Sequence, residues 1–140
     1  MMKFIYNQNK QVSTLGQAGL RFLNESCPLV LYYAQTYKLP IVKGAYYLYM
    51  NGCIATVKYH DNGIWWTDIA AHPNVRGKKA IKTFKAMLNI FSLLFYVRGY
   101  FGLIEKDNKA ARLNARFCGY REFSDIVINN TEYKLYIRSF

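Results

Sequence analysis

The sequence predicts one α+β domain, in which helices pack on a mixed, twisted sheet of about six or seven strands, with about four helices. Three observations predict it. Apolar residues switch repeatedly between the strand period of two and the helical period near 3.6. Turn signals, above all Asn51-Gly52, separate strand-like runs. A chain of 140 residues, 52% hydrophobic and 17% aromatic, holds enough apolar material for one core but not two, so 1–140 reads as a single domain.

Lys3 to Tyr6 reads as a short strand ended by the polar run Asn7-Gln8-Asn9-Lys10-Gln11. Thr14 reads as the N-cap of a first helix carrying Leu15, Ala18, Gly19, Phe22 and Leu23 at helical spacing. Pro28 suits the first turn of a second helix through Leu29, Tyr32, Tyr33 and Tyr37, and Pro40 marks its end. From Gly44 the pattern becomes extended. Ala45 to Met50, the Asn51-Gly52 turn and Cys53 to Tyr59 form a hairpin, and Asp61-Asn62-Gly63 leads into a strand from Ile64 to Ala70. These three strands make a meander.

A long amphipathic helix follows from about Gly77 to Tyr96, its buried stripe formed by Ile81, Phe84, Leu88, Phe91 and Phe95. Next come a strand from Tyr100 to Ile104 and a helix from Asn108 to Phe117 closed by Gly119. Strands from Arg121 to Ile128 and from Tyr133 to Ile137 finish the chain, with Asn129-Asn130 between them. The expected order is β-α-α-β-β-β-α-β-α-β-β.

Composition narrows the chemistry. A net charge of +11 calls for an acidic partner: nucleic acid, an anionic surface or a phosphorylated small molecule. Cys27, Cys53 and Cys118 are odd in number and lack metal-ligand spacing, so they read as reduced thiols. The longest apolar run, Met87 to Val97, is too short to span a bilayer and no secretory signal opens the chain, so a soluble, cytoplasmic protein is expected. No G-x-S-x-G elbow and no ligand cluster point to triad or metal catalysis.

The stretch Ile64 to Tyr96 is the chemical centre of the sequence. A strand, a loop with Pro73 and Arg76-Gly77-Lys78-Lys79, and a helix place unpaired N–H groups and the positive end of the helix dipole beside cations. The basic cluster Arg76, Lys78, Lys79, Lys82 and Lys85 fits a phosphate-bearing cofactor, a nucleic-acid face or a solvated helix surface. Asp68 reads either as a general base or as a sheet carboxylate paired with a lysine. His60 reads as a surface residue and His72 as a residue that fixes the loop. By strand alternation, one of Trp65 and Trp66 faces the core and the other the surface.

The segment His72-Pro73-Asn74-Val75-Arg76-Gly77-Lys78 and the pattern Asn108-Lys109-Ala110-Ala111 leading to Gly119-Tyr120 lie about thirty residues apart. In this strand and helix order they resemble the GCN5-related N-acetyltransferase (GNAT) superfamily, over roughly Gly44 to the C-terminus. The resemblance implies the acyl-CoA N-acyltransferase fold and acetyl-CoA as cofactor. It implies that backbone groups of Ile69, Ala70 and Ala71 pair with the pantetheine arm, and that N–H groups from Arg76, Gly77, Lys78, Lys79 and Ala80 hold the pyrophosphate. Asn108 and Ala111 would lie by the thiol arm, and Asp68 would be the base for a substrate amine. The chain departs from the family at Lys79 and Ile81, where the pattern has glycines, and at Ala115, where a tyrosine often serves as general acid.

Three functions follow: an acetyl-CoA-dependent N-acetyltransferase acting on an amine, a non-catalytic binding protein of the same fold, or a nucleic-acid-binding protein using the basic helix face. The second resembles the acetyltransferase-like internal virion and head-assembly proteins of short-tailed phages, which would place the chain in a host cytoplasm or a virion.

Overall fold

A computed structural model describes residues 19–139. The expected strand at Lys3 to Tyr6 and the start of the first expected helix lie outside them. The described chain runs β1 (Arg21–Leu23), α1 (Pro28–Tyr37), β2 (Tyr46–Met50), β3 (Cys53–Asp61), β4 (Ile64–Ala71), a 3-10 turn (Pro73–Val75), α2 (Lys78–Leu94), β5 (Gly99–Glu105), α3 (Lys109–Phe117), β6 (Arg121–Ile128) and β7 (Thr131–Ser139). The seven strands form one sheet in the order β1-β2-β3-β4-β5-β7-β6. Only β4 and β5 pair in parallel among the described strands, and α2 is the crossover that parallel neighbours require.

Three tight turns set the antiparallel registers. Asn51-Gly52, Asn62-Gly63 and Asn129-Asn130 each place two successive residues at positive φ, the type I′ geometry whose twist matches that of a hairpin. The meander and the final hairpin thus form where turn chemistry predicts.

One expectation fails. Phe22 and Leu23 do not continue a helix: Arg21–Leu23 is a strand paired antiparallel with β2, Phe22 opposite Leu48. Gly19 sits at φ 77, a conformation that breaks a helix. Phe22 packs into the core under α2, while Leu23 packs into the one under α1. A strand buried on both faces has an unbroken apolar run, which mimics one face of a helix.

The two faces of the sheet carry separate cores. On one, Ala80, Phe84, Met87, Leu88 and Phe91 of α2, with Ala115 and Cys118 nearby, cover Leu48, Ala55, Val57, Trp65 and Tyr100. On the other, Val30 and Tyr33 of α1 cover Leu23, Tyr47 and Ile54. Helix α2 ends at Leu94, earlier than expected. Phe95 has an extended backbone there, yet its ring stacks on Phe91 at 4.4 Å. Ile81 is half-buried at the helix start, and Met87 takes a full place in the stripe. Trp65 is buried and donates from Nε1 to Tyr96 O at 2.9 Å, which anchors β4 to the far end of α2, and Trp66 is partly exposed.

Candidate active site

The parallel pairing of β4 and β5 is short. Ile64, Trp65 and Trp66 pair with Gly99, Tyr100 and Phe101, and there the ladder stops, although β4 runs on to Ala71 and β5 to Glu105. Beyond that point the strands part. The gap is a cleft of about 740 Å³ lined by β4 from Thr67 to Ala71, β5 from Gly102 to Glu105, α2, α3 and the end of α1. Because α1 lies on one face of the sheet and α2 and α3 on the other, the cleft is bounded by elements of both.

Side chains replace the ladder at the fork. Thr67 Oγ1 donates to Phe101 O at 3.3 Å and lies 2.8 Å from the Tyr120 hydroxyl. Burial pushes the Tyr120 phenol well above its ordinary value, so it is a neutral hydrogen-bonding group. Gly102 faces Thr67 so closely that a Cβ there would lie 3.2 Å from Thr67 O.

The N-terminus of α2 opens onto this cleft. Gly77 is its N-cap at φ 91 and ψ −142, with no side-chain cap for the first helical N–H groups. Those groups therefore point outward with the positive end of the helix dipole. An added Cβ on Gly77 would meet no atom within 4 Å, so the glycine is required by backbone conformation rather than by space. Gly77, Ala80 and Ile81 line the cleft, whereas the exposed Lys78 and Lys79 do not. Lys82 and Lys85 continue the exposed basic row along α2.

Arg76 enters through its side chain. Nε donates to Ala71 O at 3.1 Å, and the guanidinium lies over the Tyr37 ring at 5.5 Å. Its backbone N–H closes the 3-10 turn on Pro73 O at 3.4 Å. His72 shapes this loop, since Nδ1 accepts from Asn74 N at 3.1 Å and its own N–H donates to Gly52 O. The exposed His60 lies against Phe101 on the surface.

Asp68 lines the cleft, and among the described residues no ion pair reaches it. The lysine pairing that the sequence also allowed does not occur with any described lysine. Burial pushes its pKa up to about 6, against the opposing effect of the Ile69 N–H, which donates to Oδ1 at 2.8 Å. Alternation along β4 sends Thr67 and Ile69 toward α2 and Asp68 and Ala70 toward α1. Two edge groups of β4 are thus occupied by side chains, Ile69 N–H by Asp68 and Ala71 O by Arg76, as though holding the place of an added strand.

Asn108 and Ala111 line the cleft at the start of α3. The pattern Asn-x-x-Ala is a helix cap in physical terms: Asn108 Oδ1 accepts from Ala111 N at 3.1 Å. Ala115 is buried on the same wall beside Cys118, Tyr120 and Tyr136. The structure gathers Asp68, Ile69, Ala70, Ala71, Arg76, Gly77, Ala80, Asn108 and Ala111 around one cleft and leaves Lys78 and Lys79 outside its lining. It adds Tyr37, Lys38, Gly102, Glu105 and Tyr133, which no local motif marked, and Tyr120, which ended the second motif without a role assigned to it.

Solved acetyltransferases share this fold at low sequence identity. An acetyltransferase of the GNAT family from Bacillus anthracis superposes with a TM-score of 0.56 at 12% identity, over 69% of this chain and 66% of that one. The fold is that of the GNAT acetyltransferases. A mutant of the spermidine N-acetyltransferase SpeG from Vibrio cholerae matches with a TM-score of 0.60 at 13% identity, over 79% of this chain and 73% of that one. AAC(6')-Ib, solved with ribostamycin and coenzyme A, matches with a TM-score of 0.61 at 13% identity, over 86% and 92%. No family model and no curated protein matches the sequence.

Proposed function

We propose that this protein is an N-acetyltransferase that takes its acyl group from acetyl-CoA and passes it to an amine. The observation that carries the reading is the fork of β4 and β5 in front of the α2 N-terminus, with the carboxyl group of Asp68, its pKa raised by burial, on its wall. The complexes of structurally similar proteins with coenzyme A and an aminoglycoside, and with acetyl-CoA, support it.

The residues present fit such a ligand. Gly77 and the first N–H groups of α2 suit a pyrophosphate, and the edge of β4 at Ile69–Ala71 suits an extended amide arm. Bound acetyl-CoA would supply an activated thioester carbonyl. Asp68 would accept a proton from the substrate ammonium and leave the amine free to attack. Backbone N–H groups of β4, once released from side chains, would donate to the carbonyl oxygen as charge develops there. Asn108 and Ala111 would border the arm from α3.

Calorimetric titration with acetyl-CoA and with free CoA tests the donor site. The expected dissociation constant lies on the order of micromolar to sub-millimolar, the usual range for such substrates. Absence of heat at millimolar ligand would sink the reading. A screen of primary amines, followed by release of free thiol, then tests transfer.

A second reading has its own observation. The wall at Ala115 offers no hydroxyl, and those of Tyr120 and Tyr136 are engaged inside the protein. CoA binding with no transfer to any amine would favour a non-catalytic role, such as virion or head assembly.

A further inference from the structure

We infer that the donor pocket is built for an acyl group longer than acetyl, a short straight chain on the order of four carbons. The inference rests on the donor reading given above. A ligand anchored at Gly77, with its arm along Ala71 to Ile69, delivers its acyl end toward Thr67 and the fork. There the cleft is walled by Phe84, Leu88, Gly102, Ala115, Cys118 and Tyr120, all buried.

That inner end has almost nothing to offer water. Its hydroxyl groups are already spent: Tyr120 and Thr67 bond to each other, Thr67 also donates to Phe101 O, and Tyr136 bonds with Arg112 and Glu122. The Cys118 thiol is a weak partner, held protonated by burial. Charged cleft residues belong elsewhere: Asp68 toward the α1 face, Arg76 at the loop beside Tyr37, and Lys38 and Glu105 exposed where α1 and β5 end. The small side chain of Ala115 leaves room between the larger Phe84, Leu88 and Tyr120. An apolar recess of this kind holds water poorly and gains from hydrocarbon, at about fourfold in affinity for each methylene buried.

Calorimetry with CoA, acetyl-CoA, butyryl-CoA and hexanoyl-CoA reads the effect directly. Butyryl-CoA is expected to bind about fifteenfold more tightly than acetyl-CoA, since it buries two further methylenes. Ala115→Leu should fill the recess and cut that ratio to about threefold or less; Ala115→Val, a milder change, serves if the leucine variant does not fold. Equal or weaker binding of butyryl-CoA, with acetyl-CoA and CoA still bound, overturns the long-acyl inference alone. If none of the four ligands binds, the donor site itself is wrong.

Discussion

Asp68 is a carboxyl group whose surroundings oppose its charge. With a pKa near 6 in the folded chain and an ordinary value of 3.8, it binds its proton more tightly when folded. Between about pH 4 and 6 the native state therefore carries the extra proton, and stability falls as pH rises through that window. Below the window the penalty is absent. Above it the penalty is complete, about 3 kcal/mol. Asp68→Asn should remove this dependence and raise the urea midpoint at pH 8 but not at pH 3.5. The same variant should lower transfer by about a hundredfold or more if Asp68 is the base. The Ile69 N–H presently lowers the Asp68 pKa, so a ligand that takes that N–H raises it. The acid limb of kcat, which reports the complex, should then lie at higher pH than the limb of kcat/KM, near 6 for the free enzyme.

Gly77 makes a different kind of demand. Its φ of 91 with ψ of −142 is a region that L side chains avoid. Gly77→Ala should cost about 1–3 kcal/mol in native conformation, or turn the first N–H groups of α2 away from the cleft. Either result weakens CoA binding, and calorimetry set beside thermal unfolding separates them.

The fork between β4 and β5 is held by a hydroxyl pair where its ladder ends. Tyr120→Phe removes the phenol from Thr67 but keeps the ring, and should lower stability by about 1 kcal/mol. The urea m-value should stay unchanged, because the surface exposed on unfolding is the same. This fork was foreseeable only through family resemblance. No local pattern announces that two strands will separate, because the event depends on what β7 and α3 bring to the gap. Asn51-Gly52 and Asn62-Gly63, by contrast, announced their hairpins outright, since few residue pairs accept two successive positive φ values. Arg21–Leu23 misled because burial on two faces erases strand alternation. Tyr37 was invisible as a cleft residue for a further reason: its partner, Arg76, lies far away in sequence.

Taken as a whole, the molecule spreads its charge unevenly. Ion pairs among the described residues gather at α3, β6 and β7, where Glu122 meets Arg112, Arg116 and Lys134, and Asp125 meets Lys134. Lys78, Lys79, Lys82 and Lys85 stand exposed along α2 with no acidic partner among these pairs. That row should raise affinity for any phosphate-rich ligand and make it salt-sensitive. CoA binding should weaken only modestly between about 50 and 200 mM salt. A loss of about a thousandfold for duplex DNA over the same range would instead mark an extended phosphate contact and favour the nucleic-acid role.

The cleft is bounded by elements of both faces of the sheet, with the α2 N-terminus on one side and Tyr37, Lys38 and Asp68 toward the other. Two reactants that arrive from opposite directions do not stand in each other's way. Neither has to leave before the other enters, so no acyl group need be parked on the protein between them. An enzyme that works as proposed would turn over through a ternary complex. Its double-reciprocal rate plots, taken at several fixed amine concentrations, intersect instead of running parallel.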